Sequence, residues 1–302
     1  MQECSISKAC RIVSLPRSSY QYNAKEKDDQ ALEKLLRLLI AKKPAIGFWQ
    51  CHHRIRKQGT ICNHKRLRRI YRKLHLNVQR KPRKRLPARV KLPLMKTTAP
   101  NQMWSVDFMA DSLVDGRKFR MFNVIDDFTR ESLTIEVDTS LPALRVIRVL
   151  ENIISKRGKP ANIRSDNGPE FLCRKLEKWC ENHHITWQYI QPGEPTQNAF
   201  VERKNGSMRR ELLNAYLFNT LRDARIYCEE WRQDYNVERP HKSLNYLTPS
   251  EFAERFAEAQ NTVMQLYPQT ATGNNSTIAG SRLVDKIFEK TTDHKPDSLF
   301  SN

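Results

Sequence analysis

Two stretches of the sequence decide the fold: ANIRSDNGPEF at residues 161–171 and QPGEPTQNAFVERKNGSMRREL at residues 191–212. The first is an apolar lead-in that runs into an Asp-Asn-Gly turn, which is typical of a strand end. The second is a loop broken by glycine and proline that gives way to a helix carrying Glu202. Thirty-five residues separate Asp166 from Glu202. The pattern predicts a carboxylate after a strand and a second carboxylate on a helix.

A third carboxylate, Asp107, lies upstream in NQMWSVDFMADS, a strand-like run at residues 101–112. Strand propensity disfavours aspartate, and a charge beside a sheet core is costly unless it is paired or bound to metal. Asp166 alone would more often be a turn former, but the three acids together favour a metal site. We therefore predict Asp107, Asp166 and Glu202 as catalytic residues and metal ligands.

Carboxylate oxygens favour Mg²⁺ or Mn²⁺. Two such ions about 4 Å apart can activate a water or a 3′-hydroxyl and stabilise the leaving oxygen of an in-line displacement. Other acids compete for the role. We assign Asp115 to a hairpin and Asp126 and Asp127 to a strand end before a turn, which leaves Asp111, on the same face as Asp107, as the reserve candidate.

The helix of Glu202 also carries a cation at a useful spacing. Arg209 is seven residues, almost two turns, further on and so shares the face of Glu202. A carboxylate followed by a cation along one face suits a metal beside a DNA phosphate. Gly206 between them lets a backbone approach closely.

The net charge of +20 is distributed very unevenly. Residues 1–100 contain 26 Lys and Arg against 5 Asp and Glu, whereas residues 101–302 contain 27 against 28. This asymmetry indicates a polyanion-binding front third ahead of a nearly neutral domain. The alternative is a solvated basic surface that only aids solubility.

The first 76 residues predict short helices. Residues 5–20 form two of them around a break at Pro16, and residues 28–43 form an amphipathic helix with an apolar stripe. Asn63 is the predicted N-cap of a basic helix whose Leu67, Ile70, Tyr71 and Leu74 face a core. Three helices with a basic last helix suit a helix-turn-helix that contacts DNA phosphates. The predicted contacts are Lys65, Arg66, Arg68, Arg69, Arg72 and Lys73.

The cysteines leave one alternative open in this region. Seven scattered cysteines indicate reduced thiols in a cytosolic setting rather than a disulfide framework. Cys51, His53, Cys62 and His64 could in principle close a zinc site, although their spacing is not a common one. No apolar run approaches the ~18 residues of a membrane span, and no secretory signal is present.

Four segments are predicted. Residues 1–78 form the helical DNA-binding module, and residues 79–100 form a basic, proline-rich linker in which Arg83, Lys84 and Arg85 contact DNA. Residues 101–262 form an α/β domain, because a meander of three strands is followed by alternating helix and strand, and this describes a mixed sheet with flanking helices. Residues 263–302 read as a poorly ordered polar tail.

The motifs as a set resemble a known family. WSVDF, RMFNVIDDFTRESLTIEVD, IRSDNGPEF, IQPGEPTQNAFVERKNGSMRRELLN and YNVERPHKSLNYLTPSEF resemble, in this order, the bacterial insertion-sequence transposases. More narrowly, the chain resembles the second-frame (OrfB) protein of the insertion-sequence-three family, over about residues 5–260.

The resemblance implies an RNase H-like, retroviral-integrase-like catalytic core with a D…D-x35-E triad at Asp107, Asp166 and Glu202. It also implies metal-dependent cleavage of 3′ ends and their transfer to double-stranded DNA without a covalent protein–DNA bond, by a bacterial cytoplasmic, nucleoid-associated protein. Gln197 and Asn198 match the loop before the catalytic helix, and we expect them, Lys204 and Arg209 to contact DNA.

The resemblance also implies partners. We expect a homo-oligomer on DNA and a first-frame (OrfA) partner or a frameshifted fusion, because the first-frame segment is absent from this sequence. Two alternatives remain: a DNA-binding regulator or decayed copy that no longer catalyses, and a nuclease that cuts but never joins.

Overall fold

The N-terminal part of the chain is helical. The computed structural model describes residues 5–22, 29–76, 97–168, 170–191 and 195–266. Its first five helices are α1 Ile6–Ile12, α2 Arg17–Tyr20, α3 Gln30–Lys42, α4 Phe48–Lys57 and α5 His64–Lys73. The break at Pro16 separates α1 from α2, as predicted. We call α1–α5 the helical module.

Helices α3, α4 and α5 share one apolar cluster. Leu36, Cys51 and Leu67, one from each helix, are fully buried at its centre. Burying a leucine side chain stabilises such a module by roughly 1.5–3 kcal/mol. Asn63 begins α5 as predicted, because its side chain accepts a hydrogen bond of 2.8 Å from the backbone N–H of Lys65. The remaining residues of α5 are left free to carry charge.

The α/β domain is built on a mixed sheet of five strands in the order β3-β2-β1-β4-β5. Strands β1 and β2 are antiparallel, as are β2 and β3, whereas β4 runs parallel to β1 and to β5. The strands are β1 Met103–Ser112, β2 Lys118–Asp126, β3 Ser132–Asp138, β4 Asn162–Ser165 and β5 Thr186–Tyr189. The predicted mixed α/β fold with an all-helical N-terminal module is confirmed.

Alternation along β1 divides the sheet into two faces. Trp104 and Val106 point into a cluster with α6 Ala143–Arg157 and α7 Arg174–His183. Met109 points to the other face, where the C-terminal helices pack. Because side chains alternate along a strand, Asp107 shares the face of Met109. The sheet is therefore covered on both faces, and Asp107 looks towards the C-terminal helices.

The C-terminal helices follow in three steps. They are α8 Ala199–Met208, which continues into a π-helical turn at Arg209–Leu213, α9 Leu221–Gln233, which continues into a π-helical turn at Asp234–Glu238, and α10 Pro249–Leu266. Met208 on α8 and Trp231 on α9 are buried against the sheet. None of the helices in the described ranges is both long and apolar enough to cross a membrane.

Two boundaries differ from the prediction. Pro169, directly after the Asp-Asn-Gly turn, predicts a helix start, because proline is favoured at the first position of a helix. Helix α7 begins instead at Arg174, because Phe171 is fully buried in the core and the backbone around it forms a turn closed by the Phe171 N–H on the Gly168 carbonyl. The last helix continues past residue 262 to Leu266. The predicted linker at residues 79–96 and the tail from residue 267 lie outside the described residues.

Candidate active site

The register of the sheet places Asp107 beside Asp166. Met103 pairs with Asn162 and Ser105 with Arg164 in the parallel ladder between β1 and β4. Two residues beyond the Ser105–Arg164 pair, Asp107 lies in the middle of β1 and Asp166 lies directly after β4. The parallel pairing thus sets the two carboxylates side by side although 58 residues lie between them.

Asp107 is held by two donors and raised in pKa by its surroundings. The side-chain amide of Asn205 donates to its Oδ2 at 2.7 Å and the Phe108 N–H donates to its Oδ1 at 2.8 Å. Burial raises the pKa of Asp107 to about 6, the charges of Asp166 and Glu202 add to the rise, and the two hydrogen bonds oppose it. A carboxyl in this state gains from a nearby cation.

Asp166 lies in the turn that the sequence predicted. Its Oδ1 accepts from the Gly168 N–H at 3.2 Å, and Asn167 donates to the Ile190 carbonyl at 2.9 Å, which ties the turn to the end of β5. A Cβ at position 168 would lie 3.1 Å from Asp166 Oδ1 and 3.1 Å from Glu170 Oε2. Glycine at this position therefore leaves the carboxylate its space.

Glu202 completes the group from the first turn of α8. Its side chain is exposed, and partial burial of the carboxyl raises its pKa. The negative charge of Glu202 contributes to the raised pKa of Asp107. Within the part of the chain that the structure describes, no group of three or more His, Cys, Asp or Glu side chains is arranged to hold a metal ion. The charges of Asp166 and Glu202 both act on Asp107.

Arg209 begins the π-helical turn after α8 and contacts an acid of β1, and its predicted place on the face of Glu202 stays a prediction. Its Nη1 is 3.3 Å from Asp111 Oδ2, and its Nη2 donates to the Ala110 carbonyl at 2.9 Å. The Arg209 side chain remains 40% exposed, so one side of the guanidinium still faces solvent. Asp111, the reserve candidate, is thus engaged with Arg209.

Two of the expected DNA contacts are wrong in this structure. Lys204 is 1% exposed, and its Nζ donates to Asn123 Oδ1 at 2.8 Å beneath α8. Burial lowers the pKa of Lys204 to about 7. Asn198 is 2% exposed, and its amide donates to the Val106 carbonyl at 3.1 Å. Both side chains fasten α8 to the sheet and have no surface to offer to DNA.

Gln197 is partly exposed and pairs with another loop residue. Its Oε1 accepts from the Gln191 N–H at 2.9 Å, and its Nε2 donates to Gln191 Oε1 at 3.2 Å. These bonds join the two described ends of the loop that precedes α8. A contact of Gln197 with DNA stays a prediction.

Sequence reasoning missed a buried network behind the carboxylates. Asp127 is fully buried, accepts from Ser105 Oγ at 2.6 Å and from Arg164 Nη1 at 3.1 Å. Arg164 also donates to the Gln197 carbonyl at 3.1 Å. Burial raises the pKa of Asp127 to about 6, against the opposing effects of Ser105 and Arg164. The network links β1, β4 and the loop before α8, which carry or precede the three acids.

A signal for these residues was present in the sequence. Arg164 lies within strand β4 as Asp107 lies within β1, and a charge in a strand of the sheet needs a buried partner. Asn205 is three residues after Glu202 and shares its helix face. The partners, Asp127 for Arg164 and Asp107 for Asn205, are far away along the chain, and only the fold brings them close.

The basic face of α5 is exposed as predicted, and part of it is already paired. Arg66 and Arg69 both form ion pairs with Asp29 at the start of α3. Arg68 lies over the ring of Phe48, 5.7 Å from its centroid. The exposed basic side chains of the helix are Lys65, Arg66, Arg68, Arg69, Arg72 and Lys73. Arg83, Lys84 and Arg85 lie outside the described residues.

The residues of the zinc alternative have other neighbours. Cys51 is fully buried in the cluster of the helical module, and burial raises the pKa of its thiol to about 12. The ring of His53 stacks on Tyr246 with centroids 3.8 Å apart. Cys51 packs as an apolar residue, and His53 contacts the α/β domain.

Comparisons with known proteins give a consistent picture. Integrase core domain models match residues 97–195 and 183–249, and an HTH-like domain model matches residues 26–85. The chain is 41% identical over 249 residues to an uncharacterized 31.7 kDa protein of insertion element IS407 from Burkholderia multivorans, covering 82% of this chain and 90% of that protein.

Two further matches are more distant. InsK of Escherichia coli, named as a transposase for insertion sequence element IS150, is 24% identical over 262 residues, covering 80% of this chain and 91% of that protein. The magnesium-bound catalytic core domain of HTLV-2 integrase matches with a TM-score of 0.42 and 23% identity, over 51% of this chain and 97% of that chain.

Proposed function

Because the chain belongs to the insertion-sequence transposases that join an HTH-like domain to an integrase core domain, we propose that it cuts the 3′ ends of its element and transfers them to target DNA. Membership implies polynucleotidyl transfer; the two chemical steps and their residues are our proposal. The observation that carries it is the parallel register that sets Asp107 beside Asp166, within reach of the charge of Glu202.

The donor atoms suit a divalent metal, since Asp107, Asp166 and Glu202 carry the carboxylate oxygens that Mg²⁺ and Mn²⁺ prefer, and their side chains would have to turn towards a shared ion to hold it. Burial first, and then the charges of Asp166 and Glu202, raise the pKa of Asp107, so the group lacks a countercharge that such an ion would supply. If Asp107, Asp166 and Glu202 hold two such ions, the ions would supply Lewis-acid activation of the attacking oxygen and stabilisation of the leaving oxygen. Asn205 keeps Asp107 Oδ2 in place, and Gly168 leaves Asp166 free to turn towards the ion.

The reaction needs two attacks on phosphorus. In the first, water attacks the phosphodiester at the element end, the P–O3′ bond breaks, and a free 3′-hydroxyl remains. In the second, this hydroxyl attacks a phosphodiester of the target, and the target's own 3′ oxygen leaves. In this proposal Arg209, whose side chain is 40% exposed, contacts a non-bridging phosphate oxygen. No covalent bond to the protein forms in either attack.

The exposed basic face of α5 supplies affinity for the DNA backbone in this proposal. Joining both ends of one element requires two active sites, so we propose that the protein works as a homo-oligomer on DNA. A first-frame protein or fusion that recognises the end sequence is part of the same proposal.

The test is metal-dependent cleavage and joining of labelled duplexes taken from the two borders of the element. Asp166→Asn and Glu202→Gln remove one ligand charge each, and we expect each to lower activity by at least a hundredfold. Asp115→Asn, which changes an exposed hairpin acid paired with Arg117, is the matched control and keeps full activity.

Metal binding provides a second readout that does not need a substrate. Calorimetric titration with Mn²⁺ is expected to show binding to the wild type and to Asp115→Asn, and a loss of at least tenfold in affinity for the two site variants. Full activity of Asp166→Asn would refute the site. A wild type that only binds DNA, even when fused to its first-frame partner, would instead establish the regulator, and cutting without joining would establish the nuclease.

A further inference from the structure

The helical module contacts the α/β domain through one buried ion pair. The Arg54 side chain on α4 is 6% exposed and makes two hydrogen bonds to Asp234, Nη1 to Oδ1 at 2.9 Å and Nη2 to Oδ2 at 2.8 Å. Lys43, between α3 and α4, adds a contact of 2.8 Å to Asp234 Oδ1. Paired, bidentate geometry of this kind fixes orientation as well as distance.

Two neighbouring side chains of the module, Lys57 and His53, also contact the α/β domain. Lys57 at the end of α4 donates to the Val237 carbonyl at 2.8 Å and lies 2.9 Å from Glu251 Oε1. His53 stacks on Tyr246 at 3.8 Å with the two rings 19° apart. Three cations and one aromatic ring of the module thus meet two acids, a carbonyl and a tyrosine of the α/β domain.

The surface that receives the module is tied firmly to α8. Asp234 begins a π-helical turn, and the next residue, Tyr235, is buried in the cluster that holds α9 to the sheet. The Nη2 of Arg239, just beyond the turn, donates to Glu211 Oε1 at 2.8 Å. Glu211 lies in the π-helical turn that continues α8, the helix of Glu202. The π-helical turn Asp234–Glu238 therefore lies between two side-chain contacts, Arg54 with Asp234 at its start and Arg239 with Glu211 just after its end, and so connects α4 to the helix of Glu202.

The module's docked face and its basic face are different. Arg54 and His53 on α4 point to the α/β domain, whereas Arg68 and Arg72 on α5 remain exposed. Helices α4 and α5 share an apolar cluster, so the direction of α5 follows that of α4. Docking thus leaves the DNA-binding surface available.

We propose that the Arg54–Asp234 pair fixes the distance and direction between the DNA-binding helix α5 and the carboxylates, so that the DNA segment held by α5 determines which phosphodiester is cut. Arg54 and Asp234 are positioning residues for the choice of the cleaved bond. This inference rests on the proposed function, although docking itself can be measured without DNA.

The experiment uses charge reversal in the full chain. Arg54→Glu and Asp234→Arg each place like charges in the contact, and the double variant restores opposite charges in swapped order. Arg37→Glu is the matched control, because Arg37 is an exposed cation of the same module that pairs with Glu33 on its own helix. Scanning calorimetry reports docking: we expect one unfolding transition in the wild type, the control and the double variant, and two transitions in each single variant.

Cleavage is then mapped at nucleotide resolution on an end-labelled border duplex. We expect one cut position for the wild type, the control and the double variant. The single variants are expected to spread the cut over several adjacent phosphates, with total cleavage per bound complex reduced less than tenfold. A purely structural role would lower the yield without moving the cut, and restoration by the double variant separates the pair from general damage.

Three outcomes would overturn the inference. The first is a single, unmoved cut position in variants that show two unfolding transitions. The second is an increase in cleavage on undocking, which would make the contact inhibitory. The third is a double variant that behaves like the single variants.

A wild type that binds border DNA without cutting it refutes the proposed function instead. The positioning is then measured from hydroxyl-radical footprints, in which we expect one continuous protected segment for the wild type and a shorter one for the single variants. Equal footprints would refute the inference.

Discussion

Asp107 lies in the middle of β1, where burial and the charges of Asp166 and Glu202 raise its pKa to about 6 from the ordinary aspartate value of 3.8. A group with a raised pKa in the folded state holds its proton more tightly there than in the unfolded chain. Ionisation of Asp107 therefore destabilises the metal-free fold as the pH rises from about 4 through about 6. The sign is the opposite of that for a salt-bridged aspartate.

Asp107→Asn should stabilise the metal-free protein. At about pH 7.5 the variant avoids the cost of a buried charge, and we expect a gain of about 1–3 kcal/mol in the free energy of unfolding. The gain should vanish near pH 4, where the wild type is protonated too. Thermal melts of the wild type and the variant in EDTA, across this pH range, measure the gain in stability. The prediction is contradicted if the two proteins have equal melting temperatures at the high and the low end of the range.

Lys204 shows how burial removes a cation from the DNA-binding surface. It is 1% exposed and bonded to Asn123, so it cannot touch a phosphate. Lys204→Met should therefore change the DNA affinity of the full chain by no more than about twofold. A substitution that removed a phosphate contact would lower the affinity by more than that. Fluorescence anisotropy with a border duplex measures the affinity. A tenfold loss of DNA affinity with an unchanged melting temperature would show that Lys204 does contact DNA.

At the scale of elements, α8 carries most of the site. Lys204 donates to Asn123 and Asn205 donates to Asp107, while the side chain of Glu202 is exposed. The helix then widens into a π-helical turn, where Arg209 reaches β1. Such turns occur often at functional sites because they redirect side chains within a helix.

Gly206 lies inside α8, where glycine costs stability. A Cβ there would meet only the flexible end of Arg210, with Nη1 at 3.4 Å. Gly206→Ala should raise the free energy of unfolding by about 0.5–1 kcal/mol. We expect cleavage to fall severalfold nonetheless, since the methyl group lies where a DNA backbone approaches. Denaturant unfolding and the cleavage assay measure the two effects, and unchanged cleavage would remove Gly206 from the DNA path.

At the scale of the whole molecule, charge and chemistry occupy different parts. The excess of basic residues lies in the first 100 residues, whereas the acids of the site lie in the nearly neutral remainder. The Arg54–Asp234 contact joins these parts. Affinity for the DNA backbone and catalysis are therefore expected to respond to different substitutions.

The salt dependence of DNA binding tests this separation. Each neutralised phosphate contributes about 0.9 to the slope of log K against log salt. The double substitution Arg68→Ala and Arg72→Ala should lower the magnitude of that slope by about 2, whereas Asp166→Asn should leave it unchanged. Titrations of the full chain at several salt concentrations measure the slopes, with Arg37→Ala as control. An unchanged slope in the double variant would show that Arg68 and Arg72 of α5 do not contact DNA phosphates.

Sequence patterns were sufficient for the elements. Strand-like runs joined by turn residues predicted β1–β3, and helical spacing with an N-cap at Asn63 predicted α5, because these patterns are set by near neighbours along the chain. The start of α7 was misplaced, because the burial of Phe171, not the helix-starting tendency of Pro169, determines the turn there.

The proposal of the three acids came from the sequence alone, since residue type, spacing and family resemblance are all properties of the chain. Their surroundings required the tertiary structure. The partners Asn205–Asp107, Lys204–Asn123, Arg164–Asp127 and Arg54–Asp234 come from distant segments. A charged residue within a strand of the sheet indicates that it has a partner, but only the packing of the sheet against the helices determines which residue that partner is.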